Sequence, residues 1–190
     1  MKFKTLLGTL GMTAALAGVP TLALAHPWHG VGFLAGLEHP LTGIDHRLAM
    51  LAIGLWAASL GGRAIWALPL TFVLSLTLGG TIGHMVGVEL PGVEQGIFGS
   101  LMVLGVATAL AWRAPFLVAV AALALFGAIH GLAHGAESPG DFLPFAAGFI
   151  LASFTLHAAG LALGRIPYLS RALGALTAVA GVALAAGVTP

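Results

Sequence analysis

Apolar stretches long enough to cross a bilayer fill most of this chain, at about 44–61, 64–88, 93–112, 115–135, 142–164 and 169–188. A helix needs roughly 20 such residues to cover about 30 Å of hydrocarbon. Charges, Pro and Gly mark the ends of each stretch. Charged residues make up only 7% of the sequence and apolar residues 59%, against about 25% and 45–50% in soluble domains. That little charge cannot coat a water-soluble globule, and a chain this apolar is not disordered. The sequence predicts an all-α membrane protein, a bundle of about six transmembrane helices in one polytopic domain over residues 26–190. Short connections predict consecutive helices as antiparallel neighbours.

Residues 1–25 read as a cleavable signal peptide. Lys2 and Lys4 form a positive start, Thr5 to Val19 an apolar segment, and Pro20 breaks it before the small-x-small pattern Ala23-Leu24-Ala25. Cleavage there would leave His26 as the first residue. Without that end, five arginines face six acids, so no basic surface remains for nucleic acid. Val31 to Leu37 is apolar but too short to cross, and reads as an interfacial or re-entrant segment on the outer side. The absence of Cys removes disulfides and thiolate ligands together.

Loop charges give the orientation. With the mature N-terminus outside, the loops after the first, third and fifth spans face the cytoplasm, and they carry Arg63, Arg113 and Arg165, with Arg171 just beyond. The other two loops carry Glu89, Glu94, Glu137 and Asp141 and no basic residue. This is the positive-inside pattern, and Trp66, Trp112 and Tyr168 fall where an aromatic belt belongs. Both termini are expected on the periplasmic side of the inner membrane. Arg47, near the outer end of span one, is the misfit, and a nearby acid is its expected partner.

Ionisable groups inside a span are costly and call for a reason. Eight His in so apolar a chain are the conspicuous case. On this topology His26, His29, His39, His46, His84, His130 and His134 gather toward the outer side, and only His157 lies deeper. His130 and His134 share one helical face, and Glu137 extends it. Two imidazoles and a carboxylate suit a borderline divalent ion such as Ni²⁺, Co²⁺ or Zn²⁺. Gly127, Gly131 and Gly135 run alongside as a ridge that lets another helix approach closely, and Gly79, Gly83 and Gly87 form a second beside His84. The alternative for the His pair is hydrogen bonding across helices. The second constellation is His39, Asp45 and His46. Here Thr42 to Asp45 has the spacing of a helix capping box, so spacing alone leaves ligation and capping even. His84, Glu89 and His157 are undecided between packing and function.

These two groups resemble the signatures of the HupE/UreJ family of nickel permeases. One family motif, H-x5-D-H, is matched by His39, Asp45 and His46 and continued by Arg47-Leu48-Ala49-Met50 and Gly54-Leu55-Trp56. The other, F-H-G-x-A-H-G-x-E, is matched by His130, Gly131, Ala133, His134, Gly135 and Glu137, with Ile129 in place of the usual Phe. The resemblance covers essentially the whole chain. It implies secondary uptake of nickel, or of cobalt in some members, for hydrogenase or urease maturation. It makes His39, Asp45, His46, His130, His134 and Glu137 the expected metal site, with Ni²⁺ or Co²⁺ as transported ion and no other cofactor.

No phosphate loop of the G-x-x-x-x-G-K type is present, so neither nucleotide nor ATP hydrolysis is expected. An intramembrane zinc hydrolase is the rival reading, weakened by the lack of H-E-x-x-H. A haem-binding anchor is a third. Oligomeric state is not readable from the sequence.

Overall fold

The computed structural model describes residues 32–87, 91–138 and 141–188. Among them the chain is entirely helical, with seven α-helices: α1 (Phe33–Thr42), α2 (Ile44–Leu60), α3 (Ala64–Val86), α4 (Val93–Ala109), α5 (Phe116–Glu137), α6 (Phe142–Leu163) and α7 (Pro167–Ala185). The expected signal peptide, with His26 and His29, lies outside the described residues, as does Glu89. α3, α5, α6 and α7 are long and apolar enough to cross a membrane. Their outer faces stay apolar, with Leu78 and Met85 on α3, Leu125 on α5, Leu143 on α6 and Val179 on α7 exposed. So much uncovered apolar side chain suits hydrocarbon and not water. The protein is a multi-pass membrane protein.

Local sequence sets the helix ends. Gly87 closes α3 in the left-handed conformation at φ 66°, and Gly92 opens α4 at φ 86°. Pro167 starts α7 at a position where no intrahelical donor is lost. The third span stops sooner than the expected residue 112. Ala111 takes a left-handed φ of 49°, and the Trp112 N–H turns back to the Ala107 carbonyl at 2.8 Å. The apolar segment expected to end at Leu37, before Pro40, instead runs on to Thr42 as α1, with Pro40 inside the helix.

The expectation that consecutive helices pair fails. The most extensive contacts are α3 with α5, α4 with α7, and α6 with both α1 and α2. Glycines decide this. A side chain on Gly127, Gly131 or Gly135 of α5 would strike the backbone of α3 at Phe72, Leu76 and Gly80 in turn. Gly79 and Gly83 of α3 meet the Ala128 and Leu132 carbonyls of α5 in return. The two rows rise together, so α3 and α5 are parallel and in backbone contact. Such approach favours dispersion and Cα–H···O contacts, which associate helices where lipid removes the hydrophobic drive. Gly87, expected to complete the α3 row, serves as the helix cap instead. Gly54 of α2 and Gly160 of α6 abut in the same way.

At the opposite end from the N-terminus of α2, the Trp56 indole N–H donates to the Trp112 carbonyl at 3.0 Å, and the two rings stack at 6.1 Å. Arg63 lies 3.8 Å over the Phe116 ring. The core between is apolar and includes Met50, Ile53, Phe72, Leu104 and Phe149.

Gly79→Ala should therefore destabilise the bundle by about 1–3 kcal/mol, the usual cost of overpacking. Gly99→Ala, with nothing within 4 Å of the added carbon, should be neutral or gain about 0.5–1 kcal/mol from helix propensity. Thermal unfolding of both variants in detergent measures the difference.

Candidate metal site

Gly43 makes the corner on which the site depends. α1 ends with the Gly43 N–H on the His39 carbonyl at 3.2 Å. α2 begins at once, so His39 at the end of one helix and His46 at the start of the next come face to face. A side chain on Gly43 would stand 2.6 Å from His46 Cδ2 and 3.0 Å from Asp45 Oδ1. The capping-box alternative is not formed. Thr42 is the last residue of α1, and its hydroxyl reaches back to the Glu38 and His39 carbonyls at 3.1 and 3.3 Å. Asp45 is thereby left beside His46, its Oδ2 3.7 Å from His46 Nε2. It also sits in the first turn of α2, where a carboxylate offsets the positive end of the helix dipole.

The last turns of α5 bring in the other pair. The His134 ring lies 4.3 Å from that of His46 and 4.6 Å from that of His39, and the His39 and His46 rings are 5.3 Å apart. One ring nitrogen from each of the three falls within 4.8 Å of the others. His130, one turn along α5, lies 5.9 Å from His46. His46 and His134 are 5% and 6% exposed, and His130 is wholly buried. Two motifs about 90 residues apart in the chain thus meet at one end of the bundle.

His130 shows how such a ring is prepared. Its Nδ1 lies 2.9 Å from the Phe126 carbonyl, a contact that is a hydrogen bond only if Nδ1 carries the proton. The neutral ring then keeps its lone pair on Nε2, which is buried with no hydrogen-bond partner. His46 Nδ1 is likewise buried and without one. Fixing the second nitrogen through a carbonyl is how metal-binding imidazoles are commonly oriented. Several neutral imidazoles and one carboxylate match a borderline divalent cation in softness. The C-terminal end of α5 adds its negative pole.

α6 supplies a wall that the sequence reading did not single out. Phe149 stands 5.2 Å from His134, 5.7 Å from His39 and 6.3 Å from His46, and Phe145 stands 5.9 Å from His39. Phe72 of α3 lies 5.4 Å from His130. These rings exclude water, which strengthens every charge interaction inside. Their four-residue spacing on α6 was the available signal. Ile129, where the family motif usually has Phe, faces α4, where a side chain on Gly96 would stand 3.0 Å from Ile129 Cγ2.

Other expected residues are elsewhere. The side chain of Glu137 lies outside the described residues. His84 is not drawn into the cluster. Its ring stacks on Phe142 at 4.9 Å with Nδ1 3.1 Å from Ser138 Oγ. Arg47 is exposed and has no acid within 4.0 Å among the described residues, so its expected ion pair is not formed there. His157 is buried farther down the bundle.

A divalent ion held here at a hundredfold excess over its dissociation constant should stabilise the fold by about 2.7 kcal/mol. Thermal unfolding with and without Ni²⁺ should show that gain in the wild type and in His84→Ala, and lose it in His46→Ala and His134→Ala. Asp45→Asn should weaken the ion by about 10–100-fold, as removal of an orienting partner does.

Comparison with known proteins comes to the same place. The chain is 38% identical to Protein HupE of Rhizobium leguminosarum bv. viciae over 196 residues, which cover 98% of this chain and all of that protein. No solved structure matches it. Residues 14–188 match the family model described as HupE / UreJ protein, and both signature motifs lie inside that range. With the imidazoles of those motifs gathered at one end of the bundle, the chain belongs to the HupE/UreJ family.

Proposed function

We propose that the protein is a secondary permease that carries Ni²⁺ inward across the inner membrane to supply metalloenzyme maturation, such as that of hydrogenase or urease. The observation that carries this reading is the cluster of His39, His46 and His134, drawn from three helices with ligand atoms within 4.8 Å. Membership of a transporter family and four long apolar helices support it. α2 and α4 complete six spans in this reading. Each has 17 residues, roughly 25 Å at 1.5 Å per residue, a mismatch that flanking side chains and local thinning absorb.

The arginine loops and the Trp56–Trp112 pair form the cytoplasmic end, so the cluster opens to the periplasm and both termini lie there. An ion enters at His39, the most accessible of the four rings, and is held by His46 and His134 with Asp45 balancing charge. Glu137 belongs to the same set by its motif. His130 takes it one turn deeper. Weak neutral donors suit a carrier, since an ion that cannot leave is not transported. An inside-negative potential drives a divalent ion inward by about 4.6 kcal/mol per 100 mV, twice the single-charge value. No nucleotide is needed, and the site acts as a carrier and not as a catalyst.

Nickel is proposed over cobalt, with cobalt as the alternative cargo, and nitrogen–oxygen donors accept both. Cells expressing the protein should accumulate ⁶³Ni. His46→Ala and His134→Ala should reduce that accumulation to background, whereas His84→Ala should retain it. Excess unlabelled Co²⁺ that leaves ⁶³Ni uptake untouched would exclude cobalt as cargo. Accumulation unaffected by loss of either cluster histidine would overturn the reading.

A further inference from the structure

His157 stands apart from both signature motifs. It is 1% exposed, and both ring nitrogens are buried with no hydrogen-bond partner in the protein. An imidazole left so in the interior of a bundle is costly, and family membership assigns it no task. Its position suggests one.

On α6, Phe145, Phe149, Ser153 and His157 follow one another at four-residue steps and so share a face. Phe149 is the wall of the imidazole cluster. Ser153, fully buried one turn below, donates its hydroxyl to the Phe149 carbonyl at 2.8 Å. Its oxygen lone pairs stay available. His157 comes next. From the other side, Phe72 of α3 touches both levels, with its ring 5.4 Å from His130 and 5.8 Å from His157. The rings of His46, His130, Phe72 and His157 therefore form a continuous file running inward from the cluster. The α2 side is closed at this depth, because Gly54 abuts the His157 carbonyl and Gly160.

We propose that His157 is a second station for the divalent cation: an inner ligand that takes the ion from His130 past the Phe72 ring, with Ser153 oxygen as an intermediate donor, before release to the cytoplasm. This rests on the reading of the protein as a permease. A lone imidazole binds more weakly than the outer cluster, and that difference allows release instead of retention.

The test uses the full chain in proteoliposomes with Ni²⁺ as probe. Wild type should carry Ni²⁺. His157→Leu should bind Ni²⁺ at the outer cluster with wild-type affinity and yet carry it about tenfold more slowly or worse, the scale on which metal-site residues act. His157→Gln, which restores an oxygen donor, should recover part of the flux. Because the sequence has no Cys, His157→Cys places a single thiol at the station. Ni²⁺ or Cd²⁺ should slow its conversion to a mixed disulfide by a small methanethiosulfonate, which releases methanesulfinate, an effect that a purely structural histidine would not produce. No flux in wild type would sink the permease reading and the relay with it. Flux at the wild-type rate in His157→Leu, with wild type active, would overturn the relay alone. Disulfide formation indifferent to both metals would overturn it too, and this arm stands even if His157→Leu does not fold.

Discussion

Backbone contact between α3 and α5 is the constraint from which the rest of the molecule follows. In lipid, two apolar helices gain nothing by hiding side chains from water, so close packing must hold them together. Gly127, Gly131 and Gly135 meeting Phe72, Leu76 and Gly80 supply that packing. The same turns carry His130 and His134. A residue next to a glycine ridge is turned roughly 100° from the contact, since each helical step rotates the chain by that amount. Seating the ridge on α3 therefore aims the two imidazoles at the space where α1, α2 and α6 converge. Packing and site are two faces of one helix.

The corner at Gly43 does the complementary work. Were α1 and α2 one continuous helix, His39 and His46 would be seven residues apart in sequence, about 10 Å along the axis. Breaking the helix at Gly43 folds that interval and lets both rings reach His134. The break has a cost, since backbone groups at helix ends lose their partners. Thr42 and the Gly43 N–H satisfy the end of α1 through the Glu38 and His39 carbonyls. Asp45 steadies the start of α2 by its charge. The corner thus brings two imidazoles together, with hydrogen bonds at the end of α1 and a carboxylate at the start of α2.

Much of this was legible in the sequence because bilayers impose lengths. Helix boundaries followed from charges, Pro and Gly to within a few residues, and α4 and α7 both stopped early, α4 just before the left-handed Ala111. Hydropathy says how long a span is, but not which span it touches, so the pairing of α3 with α5 was misread as pairing of consecutive helices. The glycine rows in both spans held that information. They had been read as ridges and not as a matched pair. Within the site, His130 and His134 were visible from one helical face. His39 was harder, because its place depends on how sharply Gly43 turns. Phe145 and Phe149 offered only their four-residue spacing and Phe72 not even that, since an aromatic in an apolar span looks like every other core residue. His157 was undecidable for a related reason: what marks it is the hydrogen-bond partner its ring lacks and the Phe72 ring it shares with His130.

Selecting one metal from many requires more than donors. Copper outranks nickel at almost any nitrogen–oxygen site by intrinsic affinity, so discrimination must come from shape. A cluster with rings fixed by helix ends, a corner glycine and phenylalanine walls cannot rearrange freely around an ion. One nitrogen from each of His39, His46 and His134 stands within 4.8 Å of the others. α1 is short and joined to α2 through Gly43, and α6 packs on both. α3 and α5 are locked by their glycines. Because that lock carries His130 and His134, an ion gathered here would meet rings whose positions the helix packing has already set.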